Sequence, residues 1–418
     1  MKKSILYLFM LLLAVPSCPA ADKVTITVQN PSKIARNFEM VEVPMTEISK
    51  EMGLDDFIIT DADGKEVPLQ VTYRNTVVFQ VSVGAKKKSI YYAVKATPKR
   101  NECRTMGRLF SERGDEFGWE NDRVAYRIYG HGAAVGYDLF NKSTSKLMLD
   151  HWYASEQDQE MRSVCKKLKE RGYEDLADQV YNAFCYHIDH GQGMDCYTVG
   201  PTLGAGANAL VKPDGSLLMP ACYQSYEILD DGLLRFSVRL TYPEVEYEGK
   251  KIFETRVITM DAGTSFCRVD VRYHQILEPV TMASGVVVHA SNPSAYVLNR
   301  EAGYLGYEDL GDGSPYNQRY RKELEKQMGK IYVGTVYPAP VTEMKFVEGK
   351  TGIALGHILA ITPVQPFVDY TYYFGSAWNK NQEVGIRSLT DWEALLSRQA
   401  TLVRNPLKVT VKVAKKRK

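Results

Sequence analysis

Leu234-Arg235-Phe236-Ser237-Val238-Arg239-Leu240, Lys251-Ile252-Phe253-Glu254-Thr255-Arg256-Val257-Ile258-Thr259-Met260 and Phe266-Cys267-Arg268-Val269-Asp270-Val271-Arg272-Tyr273 decide the fold. In the first, Leu234, Phe236, Val238 and Leu240 alternate with polar residues, which is the period of a strand with one face buried. Asp230-Asp231-Gly232 and Asp261-Ala262-Gly263 supply the tight turns between such strands. Further strands are expected at 286–290, 330–337, 352–361, 368–374 and 407–413. The helix-prone stretches are few: 156–171 with Gly172 as its stop, 173–180, 319–329 and 391–400. Many strands with few short helices predict a mainly β chain whose large part is an antiparallel two-layer sandwich.

Upstream, Val24-Thr25-Ile26-Thr27-Val28, Phe57-Ile58-Ile59-Thr60 and Val77-Val78-Phe79-Gln80-Val81 predict a small β-sandwich over 22–97. Residues 98–118 are charged and glycine-interrupted and read as a linker, with the large β region running from 119 to 418. Residues 133–149 read as strand, hairpin at Asn141-Lys142-Ser143, and strand.

The 418-residue chain has 44% hydrophobic residues and a formal net charge of +2. That balance argues against a nucleic-acid binder. Lys2 and Lys3 before the short apolar run 5–15 predict a secretory leader over 1–20, with export to the periplasm. The alternative is a lipid anchor at Cys18. No later stretch is apolar enough to span a membrane. The cysteine spacings match no zinc or redox motif, so free thiols are expected, with a Cys185–Cys196 bridge as the alternative.

The chemistry concentrates in Tyr186-His187-Ile188-Asp189-His190-Gly191-Gln192-Gly193-Met194-Asp195-Cys196-Tyr197. It holds two of the chain's seven histidines, and its glycines permit a turn that brings His187, His190, Asp189 and Asp195 together. No His-Glu-x-x-His helix and no Gly-x-Ser-x-Gly elbow is present. Asp189 and Asp195 could orient the histidines or hold a divalent metal, although the reading requires no cofactor. In Trp119-Glu120-Asn121-Asp122-Arg123-Val124-Ala125-Tyr126-Arg127-Ile128-Tyr129, alternation puts Arg123, Ala125, Arg127 and Tyr129 on one face. That face suits either solvent or an anionic ligand.

Elimination next to a carboxylate needs a base, a cation or donor set, and an acid. His187 or His190 is the candidate base and Tyr197 or Tyr129 the acid. Arg123 and Arg127 would grip the carboxylate. His289, ending an apolar strand, is a further candidate. Tyr373 and Trp378, within Tyr370–Lys380, form a candidate stacking platform for sugar rings. Glu120 or Asp195 would instead serve a glycoside hydrolase or epimerase. A non-catalytic glycan binder is the third reading.

Residues 119–127, 187–195 with 199–206, and 373–378 together resemble a family of secreted proteins of unknown function encoded among polysaccharide-degradation genes. The resemblance implies a galactose-mutarotase-like super-sandwich for the large domain. One branch of the family is an ulvan oligosaccharide dehydratase. The implied activity is removal of water from a terminal uronic acid, leaving a 4,5-unsaturated sugar, with a uronate-containing oligosaccharide as the partner.

Overall fold

A computed structural model describes residues 23–52, 56–311 and 327–413. The expected leader and Cys18 lie outside these residues, as does most of the expected helix at 319–329. The chain is mainly β, built of antiparallel sheets with a few short helices. Among the described residues, no helix is long and apolar enough to cross a membrane.

Two sheets form the N-terminal sandwich. One orders Lys408–Val413, Lys23–Gln29, Lys88–Lys95, Phe57–Thr60 and Glu66–Val67; the other orders Arg36–Pro44, Thr76–Val83 and Leu69–Val71. Val24, Ile26 and Val28 alternate inward against Val41, Val43 and Phe79, as their period of two requires. Residues 22–97 do not complete this unit by themselves. The last strand returns to pair with the first, Val24 facing Val413 and Gln29 facing Lys408. No local pattern announces a pairing between strands some 380 residues apart.

The large part holds three sheets around one core. The widest runs from Ser225–Asp231 through Arg235–Thr241, Lys250–Asp261, Phe266–His274 and Tyr370–Trp378 to Lys330–Val336, Tyr304–Leu310 and Tyr296–Asn299. The opposing sheet orders Leu217–Leu218, Asn208–Val211, Val280–His289, Ala354–Val364 and Glu343–Thr351. Phe236, Val238, Ile258, Val269 and Phe374 of the first meet Val286, Val287 and Ile358 of the second.

The third sheet orders Gly193–Met194, Asp138–Lys142, Ala125–Ile128, Glu116–Asn121 and Thr105–Phe110. Its last strand falls inside the expected linker, so the irregular connection is shorter than 98–118. The charges that suggested a linker are paired: Arg108 bonds Asp150 and Glu112. The hairpin expected within 133–149 is also absent. Only Asp138–Lys142 is a strand; Leu149–Glu156 is helical, and Asp138–Lys142 pairs with Gly193–Met194 instead. Gly193 sits at φ 120°, and a Cβ there would lie 2.0 Å from the Asn141 carbonyl oxygen, so this close pairing requires glycine.

One face of the third sheet carries Phe117, Trp119, Tyr126 and Ile128 into the main core. The other is covered by Leu149–Glu156 and the chain to Tyr186, through Phe110, Phe140, Trp152 and Tyr153. The expected helix at 156–171 is Gln159–Glu170, started by Asp158 accepting from the Met161 amide. The expected helix at 391–400 extends over Leu389–Arg404.

Candidate active site

Strand alternation sends Glu116, Glu120, Arg127, Asp138 and Lys142 to the helix-covered face of the third sheet. The face is charged and yet buried, so each charge has to be compensated by another. Lys142 is fully buried and salt-bridged to Glu120. Glu120 also accepts from the Met148 and Leu149 amides, at 2.6 Å each. Burial pushes Glu120 up and Lys142 down, and each opposes the other's shift. Glu120 is 0% exposed and so cannot meet a substrate. It anchors the first turn of the covering helix, which removes it from both the sugar-binding and the hydrolytic roles.

Arg127 organises the second cluster. Its Nε donates to Asp138 Oδ2 at 2.8 Å, and Nη2 donates to Asp195 Oδ2 at 2.8 Å and to the Tyr129 hydroxyl at 2.7 Å. Nη1 lies 3.5 Å from Glu116, whose carboxylate also accepts from the Tyr153 hydroxyl. Tyr129 donates onward to Asp138 Oδ2 at 2.6 Å. Burial opposes the charge on Arg127, but Asp138 and Asp195 hold it protonated. Burial raises Asp138 and Asp195, and Arg127 opposes the rise. With a side chain 3% exposed and its donors committed, Arg127 does not grip a substrate carboxylate. It holds Tyr129 and Asp195 in place.

Arg123 does not share this face. The strand begins at Ala125, and Arg123 sits in a turn whose amides bond the Asn121 side chain. Its guanidinium pairs with Glu383 at 3.5 Å, in a cleft whose lining includes neither His187 nor His190.

The central stretch turns at its glycines and lays Asp195 against Arg127, but it brings only His187 to Asp195, while Asp189 and His190 point elsewhere and the four do not converge. His187 Nδ1 lies 2.8 Å from the Asp195 carbonyl oxygen. A carbonyl only accepts, so Nδ1 carries the proton and Nε2 of the neutral ring holds the lone pair. Burial lowers the pKa of His187 to about 4, against the Asp195 hydrogen bond, so the ring is neutral at physiological pH. Its side chain keeps 22% exposure.

His190 faces solvent, with Nε2 3.2 Å from the Cys185 carbonyl oxygen. Asp189 accepts from the Gly191 and Gly193 amides and closes the turn. Among the described residues, no group of three His, Cys, Asp or Glu side chains is placed to hold a metal ion. The six cysteines described are free, Cys185 and Cys196 included.

The remaining candidates lie elsewhere. Tyr197 is in the main core, its hydroxyl without a hydrogen-bond partner and pushed well up by burial. His289 is 2% exposed and bonds Asp309 at 2.8 Å, a paired core histidine. Trp378 is buried and donates to the Met328 carbonyl. Tyr373, five positions earlier on the same strand, faces the opposite side. The two therefore form no common platform.

One residue that the sequence hid joins the cluster. Arg113 follows the third sheet's edge strand and stacks 4.9 Å over the Tyr186 ring, 3.3 Å from Glu116. It is 29% exposed, and its charge acts on both His187 and Asp195. Beside it, Asp115 and His131 adopt positive φ, 53° and 49°, and lie 3.5 Å apart. Strained non-glycine backbone of this kind gathers at functional sites. Arg113 and His187 both lie against the Tyr186 ring, and Arg127 links Tyr129 to Asp195, the residue that fixes His187, at the edge of a buried charge network.

A family model described as "Domain of unknown function (DUF4861)" matches residues 28–409. "Uncharacterized protein P7" of Formosa agariphila is 23% identical over 411 residues, covering 92% of this chain and 93% of that relative. Among solved structures, an alpha-mannosidase from Enterococcus faecalis V583 aligns with TM-score 0.48 and 9% identity. A Glycosyl Hydrolase Family 38 protein from Enterococcus faecalis aligns with TM-score 0.47 and 9% identity. The alignments cover 93% of this chain but only 46% and 47% of those, so the chain spans about half their length.

Proposed function

The chain belongs to the Domain of unknown function (DUF4861) family, and from that premise we propose that it is a carbohydrate-active lyase. It would remove water from the terminal uronic acid of an oligosaccharide in the periplasm. The observation that carries this reading is His187, a neutral imidazole whose protonated Nδ1 is fixed by the Asp195 carbonyl at the rim of the Arg127 network. The resemblance at 119–127, 187–195 with 199–206, and 373–378 supports the uronate.

His187 Nε2 takes the C5 proton, which the neighbouring carboxylate acidifies. Arg113 offsets the charge that develops on that carboxylate. The electron pair forms the C4=C5 bond as the C4–O bond breaks. Tyr129 turns its O–H from Asp138 to the departing hydroxyl and gives it the proton, so that it leaves as water. The proton on His187 returns through solvent to Tyr129. Asp138 and Arg127 position Tyr129, and Asp195 sets the tautomer of His187.

Incubation with uronate-ended oligosaccharides, read by mass and ultraviolet absorbance, tests the reaction class. Loss of one water with a new conjugated chromophore is expected. Shorter sugars without the chromophore would mean hydrolysis and overturn the reading.

A further inference from the structure

A cleft of about 640 Å³ lies between the N-terminal sandwich, the outward face of the widest sheet and helix Leu389–Arg404. Its floor follows from strand register. Ser237 faces Thr259, Thr259 faces Arg268, and Arg268 faces Tyr373, a row across four strands that lines the cleft. Its lining includes neither His187 nor Arg127.

We propose that this cleft is a second carbohydrate site, one that binds neutral, hydroxyl-rich sugar units. Three observations carry it. The lining has five arginines and five carboxylates, which cancel and do not select a strongly charged ligand. Asp270, 5% exposed, accepts from Arg268 and Thr371 through Oδ1, while its buried Oδ2 has no hydrogen-bond partner. Oδ2 has only the Arg74 guanidinium, 3.8 Å away, as an ion-pair partner; a sugar hydroxyl is a donor that would supply its missing hydrogen bond, with Arg74 and Arg268 beside it to donate to the neighbouring hydroxyl. Finally, Phe38 and Tyr73 are exposed aromatics on the wall, 72% and 40%, and Phe38 is held at φ 52° on an irregular stretch of its strand. Aromatic faces above paired Asp and Arg groups suit the apolar face and hydroxyl edge of a pyranose. The volume falls within the range of small-molecule sites.

The site does not depend on the chemistry assigned to His187. The test is a glycan array of neutral and uronate oligosaccharides, followed by calorimetry on the best neutral hit. Asp270→Asn keeps the shape and lowers the acceptor strength; Phe38→Ala removes an exposed wall. Each is expected to weaken binding about tenfold or more, while His187→Ala binds as the parent does. No neutral hit on the array, or equal binding by Asp270→Asn and Phe38→Ala, overturns the proposal.

Discussion

Replacing Arg127 with methionine keeps most of the stem and removes the cation. Asp138 and Asp195 then remain buried, 0% and 2% exposed, with the donors that now lie 2.8 Å away gone. At an effective dielectric near 20, each lost pair at ~4 Å is about 4 kcal/mol. Protonation of a carboxylate recovers part of this, leaving a net loss of about 3–5 kcal/mol, the range for breaking a buried pair. Native domains hold only about 5–15 kcal/mol, so the deficit is large. It also has a sign in pH. Both carboxyls already sit above their ordinary pKa because of burial, and Arg127 opposes that rise. An acid whose folded pKa is raised keeps its stability below the unfolded pKa and loses it as pH rises through the folded one. Without Arg127 the rise grows, so the deficit should widen above roughly pH 4 and shrink toward it. Urea unfolding of Arg127→Met and parent, followed by the emission of Trp119 and Trp152 on the two faces of this sheet, measures it. A loss under about 1 kcal/mol, or one that does not change with pH, would refute the compensated-network account.

Arg113→Ala should lower kcat/KM for a uronate substrate roughly ten- to a hundredfold with little change in urea midpoint, since it removes a charged hydrogen bond at a partly exposed site. Lys142→Met should destabilise by about 3–5 kcal/mol by stranding Glu120, yet leave turnover per folded molecule unchanged; a selective loss of turnover would return Glu120 to the chemistry. The pH profile of kcat/KM should fall only below about 4, the pKa that burial gives His187, and not near the ordinary histidine value; a limb near 6.5 would assign the base to another group. The same lowered pKa makes His187 a stabilising group above about 6.5 whose contribution is lost as pH falls through about 4, measurable as acid sensitivity that His187→Gln lacks.

Much of the fold was legible because alternation is a local signal. Phe236, Val238 and Leu240 point to the core as their spacing requires, and Gly172 ends its helix at φ 82°. The misses have non-local causes. Thr105–Phe110 was hidden by charges whose partners, such as Asp150, lie some 40 residues away. Lys408–Val413 belongs to the first sheet only through its pairing with Lys23–Gln29. Alternation places Ala125 and Arg127 on one face but wrongly adds Arg123, which lies before the strand, and a charged strand face reads as solvated or ligand-binding until its cover is known. Here the cover is the helical segment 149–186, and the partner Asp195 is 68 positions away. Arg113 gave no signal at all, because one arginine in a charged stretch is unremarkable until Tyr186 stacks beneath it.

The most direct measurement is single-turnover formation of the unsaturated product by parent and His187→Ala on a uronate-ended oligosaccharide, with circular dichroism to verify folding. The account predicts a water-loss product from the parent and none above background from a folded His187→Ala. Equal product from both would contradict it.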